Sequence, residues 1–310
     1  MVEKFIKCFL LKRECDIMQR RGENMRKVYV LAGASILLWS TVATITKVLL
    51  GSFNEYQLLC ISAFFAAGAL LVFNIITGKL KKIREYKTKD ILLMVSTGLC
   101  GNFFYYACYY GGTSLMPAST AFIVNYSWPV MSVVFACIIL KEKLTVRKMI
   151  AFAISMLGVV IISGSGISAL DTDMLIGTVL CLLGAAFYGA FTAFNKKFPY
   201  DMTVSMMFSF SASCVLSLVI SLAMGADWSI NLPQVLGLAW NGSFTMAAGS
   251  ICWALALNGG NTAKISNLAY ITPFLSLVWV FVFLHEPIVP STLLGLVVII
   301  LGIVIQIKDK

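Results

Sequence analysis

Between residues 27 and 307 the chain is a succession of long apolar runs separated by short polar joints, and this alternation limits the fold more than any single motif. The runs cover 27–50, 54–77, 90–111, 117–140, 146–163, 174–195, 202–224, 234–256, 263–284 and 291–307. Each approaches the roughly 20 residues that a helix needs to cross a bilayer. Only 12% of the residues are charged and 59% are hydrophobic, against about 25% charged in a soluble domain. The expectation is an all-α integral membrane protein with ten transmembrane helices. No joint is long enough for a separate soluble domain. Residues 1–26 mix both charge signs without a clean apolar core and cleavage site, so they read as a cytosolic extension rather than a signal peptide, with Met25 an alternative start.

A net charge of +10 raises the question of nucleic acid, and the placement of the cations answers it. With ten spans and both termini in the cytosol, every Lys and Arg except Lys47 falls on one side: the segment through Lys27, "KLKKIREYKTK" at 79–89, "KEKLTVRK" at 141–148, Lys196 and Lys197, Lys264, Lys308 and Lys310. That is the positive-inside pattern. Basic charge sets orientation and meets anionic lipid; no nucleic acid is expected. Seven of the nine cysteines (Cys60, Cys100, Cys108, Cys137, Cys181, Cys214 and Cys252) are scattered through spans without CxxC spacing and read as small buried apolar residues.

Sliding the chain against itself by 144 positions aligns 126–160 with 270–304 without a gap. Tyr126 meets Tyr270, Pro129 meets Pro273, Ser132 meets Ser276, Glu142 meets Glu286 and Gly158 meets Gly302. A second match at offset 149 pairs Trp39 with Tyr188 and Lys47 with Lys196. The chain therefore divides into two repeats, 27–163 and 174–307, of five spans each. An odd number of spans forces the second repeat to enter the membrane in the opposite direction, and inverted repeats of this kind bind substrate near the midplane between them. Pro129 and Pro273 fit that picture. Neither has an N–H for the carbonyl four residues back, and a freed carbonyl at mid-depth must face protein or a polar cavity.

"YSWPVMSVVFACIILKEKLT", followed by an apolar span containing "GVV", and its copy in the second half resemble the EamA family of the drug/metabolite transporter superfamily. Within it "LLWST" (37–41), "NYSWP" (125–129), "NKKF" (195–198) and "GNTAKISNLAYITP" (260–273) are similar to the YddG-type aromatic amino-acid exporters, although "LKEKLT" keeps the Glu of the wider family. The resemblance implies ten helices in two inverted repeats, and outward movement of neutral amino acids or similar metabolites across the bacterial inner membrane.

Helical spacing puts Phe122, Asn125, Tyr126 and Pro129 on one face of the fourth span and Asn267, Tyr270 and Pro273 on one face of the ninth. The first span offers Trp39 and Thr46, the sixth Tyr188, Thr192 and Asn195, and the third Asn102 with Tyr106. These are the candidate substrate-binding residues. Asn, Thr and broken-helix carbonyls suit the carboxylate and ammonium of an amino acid, and Trp and Tyr faces suit its side chain, with cation–π contact to the ammonium. The set fits other small polar metabolites almost as well. Lys47 reads as snorkelling to the interface, with substrate contact the alternative, while Glu142 and Glu286 read as orienting the joints.

A membrane enzyme would need a nucleophile with a base, or a metal motif such as HExxH. The chain has one histidine, His285, in a joint, and Gly164-Ser165-Gly166 reads as a turn. No metal, cofactor or obligate protein partner is expected. The span interiors carry no Asp, Glu or His to couple protons, which points to facilitated diffusion or loose coupling. A drug or another metabolite remains the alternative substrate class.

Overall fold

The computed structural model describes residues 25–164, 172–198, 200–259, 265 and 268–307, and the described residues are helical throughout, without strands. In chain order the helices are α1 Met25–Leu50, α2 Glu55–Ile76, α3 Thr88–Leu115 and α4 Ala118–Ile139, then α5 Val146–Gly164, α6 Thr172–Lys197 and α7 Met202–Ala223. They continue with α8 over 232–259, α9 Ala269–Leu284 and α10 Pro290–Ile307. Among the described residues six of these, α1 to α4, α6 and α7, are long and apolar enough to cross a membrane, and α9 and α10 are shorter apolar helices. The outward surface agrees with a lipid environment: Ile75, Ile76, Val215, Val219, Leu222, Phe281, Phe283 and Leu301 are all exposed, where a soluble protein would carry charge.

Local chemistry sets the helix starts. Asn54 accepts from the backbone N–H groups of Tyr56 and Gln57, and the Gln57 side chain returns the bond to Asn54 N–H, a capping box that opens α2. Asp201 caps α7 by accepting from the Thr203 and Val204 N–H groups, without a returning bond. Its carboxylate also pairs with Lys82 at 2.8 Å and Lys79 at 3.4 Å, tying the end of α2 to the start of α7 on the basic face. Burial pushes the Asp201 carboxyl up, but bonds from Lys82 and Thr203 and the charge of Lys79 outweigh it and hold the group at about 2.

The helices pack in pairs: α2 along α7, α5 along α10, and α6 against both α3 and α4. Lipid gives no hydrophobic drive to helix association, so close backbone approach at small residues does this work. A Cβ built on Gly158 of α5 would lie 2.8 Å from the Gly295 carbonyl of α10, and one on Gly302 would lie 2.7 Å from the Ala151 carbonyl of α5. Only glycine fits at either position. Down α7, Ser205, Ser209, Ser213, Ser217 and Ser221 repeat every fourth residue as a buried stripe. The Ser213 and Ser217 hydroxyls donate to the carbonyl one turn back, so these small polar side chains cost little.

Helix α1 has a turn at Thr41, and α3, α4, α8 and α9 are irregular at depth. Helix α4 breaks at Tyr126–Ser127 into Ala118–Asn125 and Trp128–Ile139, with Pro129 in the first turn of the second piece, where its missing N–H removes no helical bond. Pro273 stands likewise in the first turn of Thr272–Trp279 in α9. The breaks thus fall just before the prolines, and the Tyr126 hydroxyl donates to the Ala269 carbonyl, joining one broken helix to the other. In α3 and α8 the helix widens into π-helical turns over Cys100–Phe104 and Trp240–Ala248, a feature that often marks functional sites.

Candidate substrate site

Two of the cavities among the described helices bear on the site. The central one, of about 100 Å³, is lined by α1 (Trp39, Val42), α3 (Asn102, Tyr105, Tyr106), α4 (Phe122, Asn125, Tyr126, Trp128), α6 (Tyr188, Phe191), α7 (Met202, Met206, Phe210), α8 (Ser250) and α9 (Ala269, Thr272). The other, of about 740 Å³, is an apolar groove between α1, α8 and α9, bordered by Leu37, Val48, Pro233, Trp240, Trp279 and Phe283. The groove is larger, but its polar side chains are only the Thr41, Thr44 and Ser52 hydroxyls and the Gln234 amide beside two indoles, among the described residues. The central cavity joins both halves of the chain and concentrates aromatic and amide groups, so we assign the candidate site there.

Its walls are aromatic. Tyr105 stands 4.9 Å from Tyr188 and 4.7 Å from Tyr106, centroid to centroid, and Trp128 meets Tyr188 edge-on at 5.1 Å. The Trp39 indole N–H donates to the Thr245 carbonyl of α8 at 3.1 Å, which fixes the ring. The break in α4 leaves Asn125 as the last residue of its first piece, 4% exposed, and its amide N–H donates to the Tyr105 hydroxyl at 3.0 Å. The other polar atom of that amide has no partner among the described residues. A buried acceptor left open in this way costs about 1–3 kcal/mol, and it is available to a ligand. Among the described residues no Asp, Glu, Lys, Arg or His lines the cavity.

Amides also join the two halves of the chain. Asn102, in the π-helical turn of α3, donates to the Ser209 hydroxyl of α7 at 2.6 Å, and Asn241, in that of α8, donates to the Ser62 hydroxyl of α2 at 3.1 Å.

Of the residues singled out from sequence, Trp39, Asn102, Tyr106, Asn125, Tyr126 and Tyr188 line the cavity. Thr46 is fully buried and away from it, Thr192 donates to the Gly189 carbonyl one turn back, and Asn195 is exposed at the end of α6. Pro129, Pro273 and Tyr270 stand beside the lining rather than in it. Asn267 lies outside the described residues. Tyr105 also lines the cavity; it lies three residues after Asn102, so ordinary helical spacing already puts it on the same face, and choosing Tyr106 alone left it out. Met202, Met206 and Phe210 give no signal of their own, since α7 reads as an ordinary apolar run.

Charged groups gather at the ends of the bundle. On the basic face Lys196 donates to Glu142 at 2.7 Å, and Lys148 approaches the same carboxylate at 3.6 Å. The bond from Lys196 holds the Glu142 carboxyl below the usual carboxylate range. On the opposite face Lys47 does not snorkel outward: its ammonium donates to the Thr113 and Met116 carbonyls, both at 2.8 Å.

A helical membrane chain enclosing an uncharged, aromatic cavity between its two halves is built as a small-molecule transporter. Comparison with known proteins places it more closely: the EamA-like transporter family matches twice, over residues 26–164 and 175–307, and the chain belongs to that family. It is 26% identical over 297 residues to an "uncharacterized transporter" of Clostridium kluyveri, covering 92% of this chain and 94% of that one. It is 22% identical over 274 residues to the aromatic amino acid exporter YddG of Escherichia coli, covering 84% and 90%. A protein of known crystal structure shares the fold with a TM-score of 0.65 at 18% identity, over 90% of this chain and 95% of that one.

Proposed function

We propose that this protein exports neutral amino acids or related small metabolites, aromatic ones foremost, by alternating access across the bacterial inner membrane. Ten helices in two inverted repeats, 27–163 and 174–307, carry the motion, with both termini and the basic face in the cytosol. The observation that carries the reading is the central cavity: aromatic walls for a side chain, an open amide acceptor on Asn125 for an ammonium, and, among the described residues, no charged lining to select against a zwitterion. The inverted repeat is supported by exchanged contacts. Asn102 to Ser209 answers Asn241 to Ser62, and Gly158 on α10 answers Gly302 on α5. The substrate class is also the one named for the Escherichia coli relative.

At about 100 Å³ the cavity is smaller than the roughly 300 Å³ at which small-molecule sites begin, so the helices around it must part to admit substrate. Uptake into proteoliposomes of labelled phenylalanine, tryptophan, methionine and threonine, beside aspartate and lysine, tests the reading. Saturable uptake of neutral amino acids, reduced in Tyr126→Ala, is expected. Uptake of none of them by folded protein would move the substrate to another metabolite or drug class.

A further inference from the structure

The turn between α3 and α4 is gripped at both ends by charged side chains from elsewhere in the chain. Helix α3 ends at Leu115 and α4 begins at Ala118, so the last carbonyls of one and the first N–H groups of the other meet within a few residues, all lacking helical partners. Lys47, from α1, donates to the Thr113 and Met116 carbonyls. Glu286, from the joint before α10, accepts from Ala118 N–H at 3.0 Å and from the N–H and hydroxyl of Ser119 at 3.3 Å each. A cation on a helix C-terminus and an anion on a helix N-terminus each match the local dipole, and the bonds are charge-assisted. The two residues together pin α1, the α3–α4 turn and the α9–α10 joint.

The same two residue types recur on the opposite face. Lys196 aligns with Lys47 and Glu142 with Glu286, and here the pair is bonded directly at 2.7 Å. Each pair crosses the repeats, a lysine from one half with a glutamate from the other. Near the Lys47 face Tyr109, Tyr110 and Thr113 are fully buried, whereas the central cavity reaches Met202, in the first turn of α7 on the basic face and 39% exposed.

We propose that Lys47 and Glu286 form the latch that shuts the path on their face, and that Lys196 and Glu142 are the repeat-related latch in its other setting, bonded to one another. In the opposite conformation Lys47 and Glu286 leave the turn and make the direct ion pair, so the four residues are positioning residues of the transport cycle. This rests on the inverted-repeat reading above.

The test places one cysteine at Ser250, in the cavity lining, in an otherwise cysteine-free full-length protein in oriented vesicles. It measures the rate of modification by a membrane-impermeant charged methanethiosulfonate added from the Glu286 face. Lys47→Gln and Glu286→Gln are each expected to raise that rate about tenfold, the scale of losing charge-assisted bonds, while Lys47→Arg, which keeps the donors, stays near the parent. The exchanged double variant, Lys47→Glu with Glu286→Lys, should label as fast as the single variants, because a carboxylate cannot donate to carbonyls nor an ammonium accept from N–H groups. Rates within twofold of the parent in both Gln variants would overturn the latch. So would parent-like labelling of the exchanged variant, which would make the closed setting a plain ion pair. Amino-acid exchange by the cysteine-free parent is scored separately: a parent that exchanges while the latch variants label unchanged removes the latch and leaves the transport reading standing.

Discussion

Asn125 and Tyr105 offer a perturbation whose effects on stability and on transport should run in opposite directions. The Asn125 amide donates to the Tyr105 hydroxyl at 3.0 Å and leaves its second polar atom unpartnered in a residue 4% exposed. Asn125→Leu alone removes the open acceptor, worth about 1–3 kcal/mol, but strips the Tyr105 hydroxyl of its donor at a similar cost, so the net change should be near zero. Adding Tyr105→Phe removes both partners, and the double variant should be more stable than the parent by about 1–2 kcal/mol. Thermal unfolding in detergent across the mutant cycle reads this coupling directly. Transport should move the other way. If the open amide acceptor meets an ammonium, its loss forfeits a charged hydrogen bond, and exchange should fall roughly 10- to 100-fold. A double variant that is less stable than the parent, or one that transports at the parental rate, would refute the reasoning.

Three further outcomes follow from the packing and the charges. Asp201, held at about 2 against an ordinary 3.8, binds fewer protons folded than unfolded, so its stabilisation is complete above about pH 5 and is lost as the pH falls toward 2. The difference in melting temperature between the parent and Asp201→Asn should be constant at neutral pH and shrink across that window. Gly158→Val should destabilise by about 1–3 kcal/mol through overpacking, because its Cβ meets the Gly295 backbone, whereas Gly33→Ala, with nothing within 4 Å, should be neutral or slightly stabilising in the same unfolding assay. Trp39→Phe should loosen α1 from α8, since it removes the indole bond to the Thr245 carbonyl, and is expected to lower the melting temperature without abolishing substrate binding.

Much of the architecture was legible from hydropathy. The run read at 54–77 is the helix Glu55–Ile76, that at 202–224 is Met202–Ala223, and that at 146–163 is Val146–Gly164. The run read at 90–111 falls short of Thr88–Leu115 because Thr88 and Lys89 at one end and Gly112, Thr113 and Ser114 at the other continue the helix past the apolar stretch. The candidate site was legible where one helix carries the signal, as in Asn125 beside Tyr126, or Asn102 four residues before Tyr106. Tyr105, three residues after Asn102, was legible by the same spacing and was left out; the site was not legible where a plain methionine or phenylalanine of α7 is brought in by a neighbour. Lys47 shows a second limit. A lone cation near a helix end looks like a snorkelling side chain until its carbonyl partners, 66 and 69 positions away in sequence, are in place.

The central claim is that substrate reaches the cavity from one face at a time, and counterflow tests it most directly. Proteoliposomes preloaded with unlabelled phenylalanine, and matched empty ones, are given labelled phenylalanine outside, and initial uptake is followed against concentration. The account predicts uptake that saturates and that preloading accelerates. Uptake that rises linearly with concentration and ignores the internal pool would show a path open to both faces at once, and would contradict alternating access.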